Sequence, residues 1–156
     1  MIREHFKLAG VEALDGFRLL LEYTDNFSCE VDLGTWLEKN ACLEKLKSRA
    51  IFKKVRLGAG GWSVDWDKSG DLSLASDNLR NLGYEQAGMV GHERIWEWMH
   101  RNHLSIPAAA VAIGVSPRMI SYYRSGRKPI PAHIWLACRG WELIPTKERL
   151  TFQRAA

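Results

Sequence analysis

Residues 104–131 read LSIPAAAVAIGVSPRMISYYRSGRKPIP. Two short segments with helical apolar spacing are separated there by Gly114, and the run of local signals predicts helix, tight turn, helix. Ala109, Ile113, Val115, Ile120 and Tyr123 fall at inward-facing spacings that would seal both helices onto a third. Ala110 is expected where the two helices cross, a position that tolerates only a small side chain. Gly114 suits a turn residue with positive φ. Ser116 then reads as an N-cap, with Pro117 at the first helical position. Gly126 closes that helix, and Pro129 and Pro131 stop its extension.

Working outward, residues 132–142, AHIWLACRGWE, predict the next helix of the same domain. Upstream, residues 92–102 predict another, whose Ile95, Trp98 and Met99 would pack on the central pair. In GVSPRMIS (114–121) and SGRKPIP (125–131) the chain resembles the lambda-repressor-like class of DNA-binding domains, over about residues 90–145. Two departures stand out: Ile106 where that class often has a glutamine, and Arg124 where it often has an acid. The resemblance implies an all-α helix-turn-helix domain of four to five helices that binds double-stranded DNA.

On that reading Arg118 lies in the first turn of the recognition helix, where side chains reach base edges in the major groove. Ser121 and Tyr122 fall about one turn further and face a similar way. Arg127 and Lys128 follow the helix and suit phosphate, with Lys128 also in reach of a base. The helix N-terminus adds unpaired N–H groups and a positive dipole end for a backbone phosphate. The expected DNA-contacting set is Ser116, Pro117, Arg118, Ser121, Tyr122, Arg124, Arg127 and Lys128.

Charge distribution agrees with this reading. Of a net charge of +4 over 156 residues, residues 1–88 contribute −2 and residues 89–156 contribute +6. Between Glu97 and Glu142 there is no acid, while Arg101, Arg118, Arg124, Arg127, Lys128 and Arg139 are all basic. A solvated face usually mixes signs, whereas a surface for a polyanion needs a local excess of one. The 46% apolar fraction and seven tryptophans indicate globular structure. No apolar run approaches the ~18 residues of a membrane span, and MIREHFKLAG lacks a secretory core. Cys29, Cys42 and Cys138 have no CxxC spacing and read as reduced thiols of a cytoplasmic protein.

The N-terminal half predicts a small α+β domain over residues 1–85. A short strand is expected at 6–9, and residues 17–23 and 27–33 form a hairpin about Thr24-Asp25-Asn26. Phe27, Cys29 and Val31 share one face of the returning strand, which makes Cys29 a core residue. Residues 33–48 shift to helical spacing and would cover the sheet. Residues 50–57 and 62–66 suggest a second hairpin around Gly58-Ala59-Gly60-Gly61, a glycine run that opens no helix and so is no phosphate loop. Ser76-Asp77 would cap a short helix through Leu79 and Leu82, and residues 83–91 read as a hinge. In residues 19–33, 52–57 and 64–79 this half resembles small bacterial domains of unknown function, some fused to a helix-turn-helix. That resemblance implies regulatory or toxin–antitoxin settings and assigns no residue a role.

Other chemistry is weaker. Asp65, Asp67, Ser69, Gly70, Asp71 and Ser73 match the start of a calcium loop, but its twelfth position is Ser76 instead of a bidentate Glu, so a solvated turn is the expectation. His100 and His103 lack the cysteines or acids of a zinc site and read as the polar end of a helix. Trp135 and Trp141 are expected as core or dimer contacts. No nucleophile arrangement, metal set or cofactor motif points to an enzyme, and no cofactor is expected. The overall expectation is a two-domain cytoplasmic chain, an α+β sensor or interaction module followed by a DNA-binding domain. It would act as a homodimeric transcriptional regulator. The alternative is an antitoxin-like module whose N-terminal domain binds a partner protein and whose DNA binding autoregulates its operon.

Overall fold

The computed structural model describes residues 4–149. It separates into two compact units, divided between Ala87 and Gly88. Residues 150–156 of the expected C-terminal domain lie outside the described residues. Among those described, no helix is long and apolar enough to cross a membrane.

The first unit is α+β. Strands β1 (Leu8–Ala13), β2 (Arg18–Tyr23) and β3 (Ser28–Asp32) form an antiparallel sheet in that order. The expected strand at 6–9 is displaced: Glu4–Phe6 is a 3-10 turn, and the strand begins at Leu8. Along β2 the alternation is clear, with Leu19, Leu21 and Tyr23 buried. Leu19 pairs with Val31 and Leu21 with Cys29, so the inward faces of β2 and β3 coincide. Asn26, at φ 64°, makes the turn between them, a left-handed conformation that asparagine tolerates.

Helix α1 (Gly34–Lys39) and a 3-10 segment (Ala41–Lys47) follow, burying Leu37, Leu43 and Leu46. The strand expected over residues 50–57 is mostly absent. Residues Arg49–Phe52 form a single helical turn, α2, in which the Ser48 carbonyl accepts from the amides of Ile51 and Phe52 at 3.0 and 2.9 Å. Ile51 packs against the core and Phe52 lies within it; adjacent strand residues would point to opposite faces, and a helical turn puts both inward. Only β4 (Arg56–Leu57) remains extended.

It pairs with β5 (Ser63–Asp65), as a hairpin about the glycine run requires, and β5 pairs in turn with β6 (Ser73–Ala75). Both expected hairpins are therefore three-stranded sheets. The loop joining β5 to β6 holds the calcium-like acids. There Asp67 accepts the amides of Gly70 (2.9 Å) and Leu72 (3.2 Å), and Asp65 accepts the hydroxyls of Ser63 and Ser73. Those carboxylates are spent on closing a turn, as such residues commonly are.

Helix α3 (Ser76–Gln86) covers the first sheet. Its N-cap is Ala75, not the Ser76-Asp77 pair; Ser76 is buried and its carbonyl accepts the Tyr23 hydroxyl at 2.8 Å. Gly83 is not part of a hinge. It sits inside α3, where a Cβ would come within 2.5 Å of the Cys29 sulfur, so glycine permits the close helix–sheet approach. Burial pushes the Cys29 thiol up to about 11.

The second unit is helical: α4 (His92–Arg101), α5 (Ile106–Ile113), α6 (Pro117–Arg124) and α7 (Ala132–Leu143). Its core is Ile95, Trp98, Met99, Ala109, Ala110, Ile120, Tyr123, Ile130, Ile134 and Cys138. Fully burying an aliphatic side chain of this size stabilises by about 1.5–3 kcal/mol, and Ile95 and Ile120 are completely buried. Trp98, also fully buried, meets Trp141 edge-on at 5.7 Å. A single antiparallel bridge between Val90 and Ile130 ties the entry to α4 to the chain leaving α6.

Candidate functional site

The geometry around α6 follows from how its two ends are made. At the start, Ser105 and Ser116 cap α5 and α6 through the amides of Ala108 (3.2 Å) and Met119 (3.3 Å). Each such cap is worth about 1 kcal/mol. Pro117 occupies the first helical turn, where its missing N–H costs nothing. Gly114, at φ 70° and ψ 34°, supplies the left-handed residue between the helices, and the Val115 amide returns to the Ala110 carbonyl at 3.0 Å.

The far end of α6 closes in the same manner. Gly126 has φ 70°, its amide donates to the Tyr123 carbonyl (3.1 Å), and that of Arg127 reaches back to Tyr122 (3.0 Å). This six-to-one closure folds the chain against the last turn of the helix. Arg127 and Lys128 are thereby brought beside a ring that precedes them by one and a half turns of sequence.

That ring is Tyr122. The guanidinium carbons of Arg118 and Arg127 lie 5.4 and 5.3 Å from its centroid, and the Lys128 ammonium lies at 5.3 Å. All three are within the range at which a cation is attracted by an aromatic face. Arg118, one turn earlier on α6, also donates its Nε–H to the Tyr122 hydroxyl at 2.7 Å. This hydrogen bond, with the charges of Arg118, Arg127 and Lys128, holds the phenol below the ordinary tyrosine range. Among the described residues no carboxylate lies within ion-pair distance of Arg118, Arg124, Arg127 or Lys128.

Four of the eight residues expected from sequence thus converge: Arg118, Tyr122, Arg127 and Lys128. The others do not join them. The Ser116 hydroxyl is occupied by the cap, and the Ser121 hydroxyl donates back to the Pro117 carbonyl at 3.2 Å. Pro117 has no N–H, and the amides of Met119 and Ile120 are accepted by Ser116, which narrows what the helix end can offer an anion. Arg124 is half-buried and stands apart from the ring.

Two other members of the basic stretch are drawn away. Arg101 (2.8 Å) and Arg139 (2.6 Å) both pair with Glu142, which also accepts from Asn102 at 2.9 Å. Partial burial works against ionisation of Glu142, but these hydrogen bonds and charges outweigh it and hold the carboxyl low. Arg149 lies 4.2 Å over Trp141 and donates to the carbonyls of Glu142 and Ile144, closing the end of α7. The sequence shows that Glu142 ends the acid-free stretch, but not that the fold returns it to Arg101.

A second aromatic–cation cluster, in the first unit, carries no sequence signal. Arg80 of α3 is only 3% exposed, lies 4.2 Å from the Phe27 ring and 4.9 Å from that of Tyr23, and forks onto Asp25 at 3.0 and 2.8 Å. It also donates to the His5 carbonyl at 2.7 Å. Burial opposes ionisation of Asp25, and the Arg80 hydrogen bond overcomes it, leaving the carboxyl below its usual value.

Fold and cluster define a class: a small α+β unit followed by a helical unit that displays cations, on one short helix and just past its end, without carboxylate partners among the described residues. No family model and no curated protein matches the chain. The crystal structure of a "putative DNA binding protein" from Nitrosomonas europaea ATCC 19718 matches it at 40% identity and a TM-score of 0.81. The match covers 90% of this chain and 93% of that one. The chain belongs to the same family as that protein.

Proposed function

We propose that the chain binds double-stranded DNA sequence-specifically through its second unit and acts as a transcriptional regulator. The observation that carries this is the group of exposed cations about α6, gathered by a capped helix and a tight turn with no carboxylate paired to them among the described residues. Such an arrangement suits a polyanion, whose condensed counterions it displaces. The description of the Nitrosomonas europaea relative supports the same class of ligand.

In this reading residues 104–131 are a helix-turn-helix of the lambda-repressor-like kind, with α6 in the major groove. Arg118 reads a base edge, for which guanine O6/N7 is the commonest partner, while Arg127 and Lys128 hold phosphate. One such module reads only a few base pairs, so the chain acts as a homodimer on paired half-sites.

The test is selection of bound duplexes from a random library by the full chain. A consensus emerges if the reading holds. Arg118→Ala then costs roughly 1–3 kcal/mol on that site and relaxes the choice at one base pair. Recovery of no consensus, or an unchanged consensus for Arg118→Ala, counts against it.

A further inference from the structure

Three candidates outside this reading carry little. The exposed Leu136 and Leu143 of α7, beside a groove lined by Val111, Ala137, Gly140 and Trp141, have nothing to show what covers them. The Trp96 and His100 rings of α4 stack on each other, a pairing that their spacing of four on one helix accounts for. Arg49, between Phe17 and Phe52, donates to the Leu14 carbonyl, contacts that serve the first unit's own packing. The Tyr122 cluster goes further.

We propose that Tyr122 is the positioning residue of the site: its hydroxyl aims Arg118 at a base edge, and its ring gathers Arg127 and Lys128 for phosphate. The inference rests on the DNA-reading function above and assigns Tyr122 a role through its neighbours instead of through the nucleic acid. The geometry is specific. Arg118 spends its Nε–H on the Tyr122 hydroxyl at 2.7 Å. The guanidinium has five N–H groups, so both terminal nitrogens stay free in a fixed plane. Those two nitrogens are the fork a guanine or a phosphate takes bidentately.

A free arginine must surrender its rotamer freedom on binding, whereas one already held loses less. The spacing makes the device possible. Arg118 and Tyr122 are four apart on one helix face, and the reversal at Gly126 returns the next two residues to the same ring. Three like charges so close would otherwise spread apart; the electron-rich ring is the feature that offsets their repulsion.

Tyr122→Phe removes the hydroxyl and keeps the ring, so it separates the two parts of the role. The full-length protein, Tyr122→Phe, Arg118→Ala and the double variant are titrated against a selected duplex and a scrambled one, across salt. Tyr122→Phe is expected to lose roughly tenfold of the selected-to-scrambled ratio. Its melting temperature should match the wild type, and the loss should fall more heavily on the selected duplex than on the scrambled one. The double variant should discriminate no worse than Arg118→Ala alone, because one hydrogen bond joins the two residues.

A DNA-free readout accompanies this. In NMR titration of ring-labelled tyrosine, the Tyr122 phenol should ionise below the ordinary range and move up towards it in Arg118→Ala. An unchanged ratio in Tyr122→Phe overturns the inference, as do losses that simply add, or a Tyr122 phenol indifferent to Arg118. Each of those leaves the DNA-reading function standing. A wild type that cannot tell the selected duplex from the scrambled one overturns that function, and the inference with it.

Discussion

Arg80 and Arg118 each lie beside a tyrosine ring and use it in opposite ways. Arg80, in the first unit, is buried among Tyr23, Phe27 and Tyr84, and Asp25 neutralises it. Arg118, in the second, is exposed on Tyr122 with Arg127 and Lys128 around the same ring and, among the described residues, no acid within ion-pair distance. A cation taken out of water needs its counterion inside the protein, or its desolvation goes uncompensated. A cation left in water on a face without acids has its counterions in solution, ready to be exchanged for a polyanion. The same side-chain pairing therefore serves cohesion in one unit and recognition in the other, and the placement of carboxylates decides which.

The largest effect should come from unpairing the buried partner. Asp25→Asn keeps the shape of the turn but leaves the Arg80 charge buried without its anion. Asp25 is itself about a third exposed, so the cost should sit near the lower end for such pairs, about 3 kcal/mol. Denaturant unfolding of the variant measures it. The acid branch sharpens the contrast. Asp25 titrates below its ordinary 3.8 when folded, so the pair's contribution is fully present above that pH and is lost as pH falls through the folded value. The stability gap between wild type and Asp25→Asn should hold at neutral pH and close below about pH 3.8.

In the second unit the next largest effect should come from packing on α5. Ala110 is 1% exposed on α5, and its carbonyl accepts the Val115 amide that closes the turn. Ala110→Val should overpack this site and cost about 2 kcal/mol of thermal stability, while leaving every residue of the Tyr122 cluster in place. A melting temperature equal to wild type would show that α5 does not pack closely at this residue.

What was legible in the sequence is mostly what is local. Gly114, Ser116, Pro117 and Gly126 specify turns and caps within a few residues, and the backbone obeys them. Arg118 and Tyr122 fall on one face by helical spacing alone. What was misread or missed depended on distant partners or on very short elements. Arg80 meets Asp25 across 55 positions, and Arg101 meets Glu142 across 41, separations that leave no pattern in a window. Strand β6 has three residues and follows a turn rich in glycine, serine and aspartate, too short for alternation to show. Phe52 sits in a run that reads as extended, yet it needs a helical turn to enter the core beside Ile51. Gly83 resembled a hinge glycine because the Cys29 sulfur it makes room for comes from another element.

The most direct test of the contrast is the salt dependence of duplex binding by the full-length protein and by Arg127→Ala/Lys128→Ala. Both cations are exposed and, among the described residues, without carboxylate partners, so the double variant should keep its stability within about 0.5 kcal/mol. Wild-type affinity should fall steeply with salt, and the log–log slope should decrease by about two in the variant, one for each phosphate no longer neutralised. A wild type that binds no duplex, or binds with a slope flat in salt or unchanged in the variant, would contradict the assignment of these exposed cations to nucleic-acid phosphate.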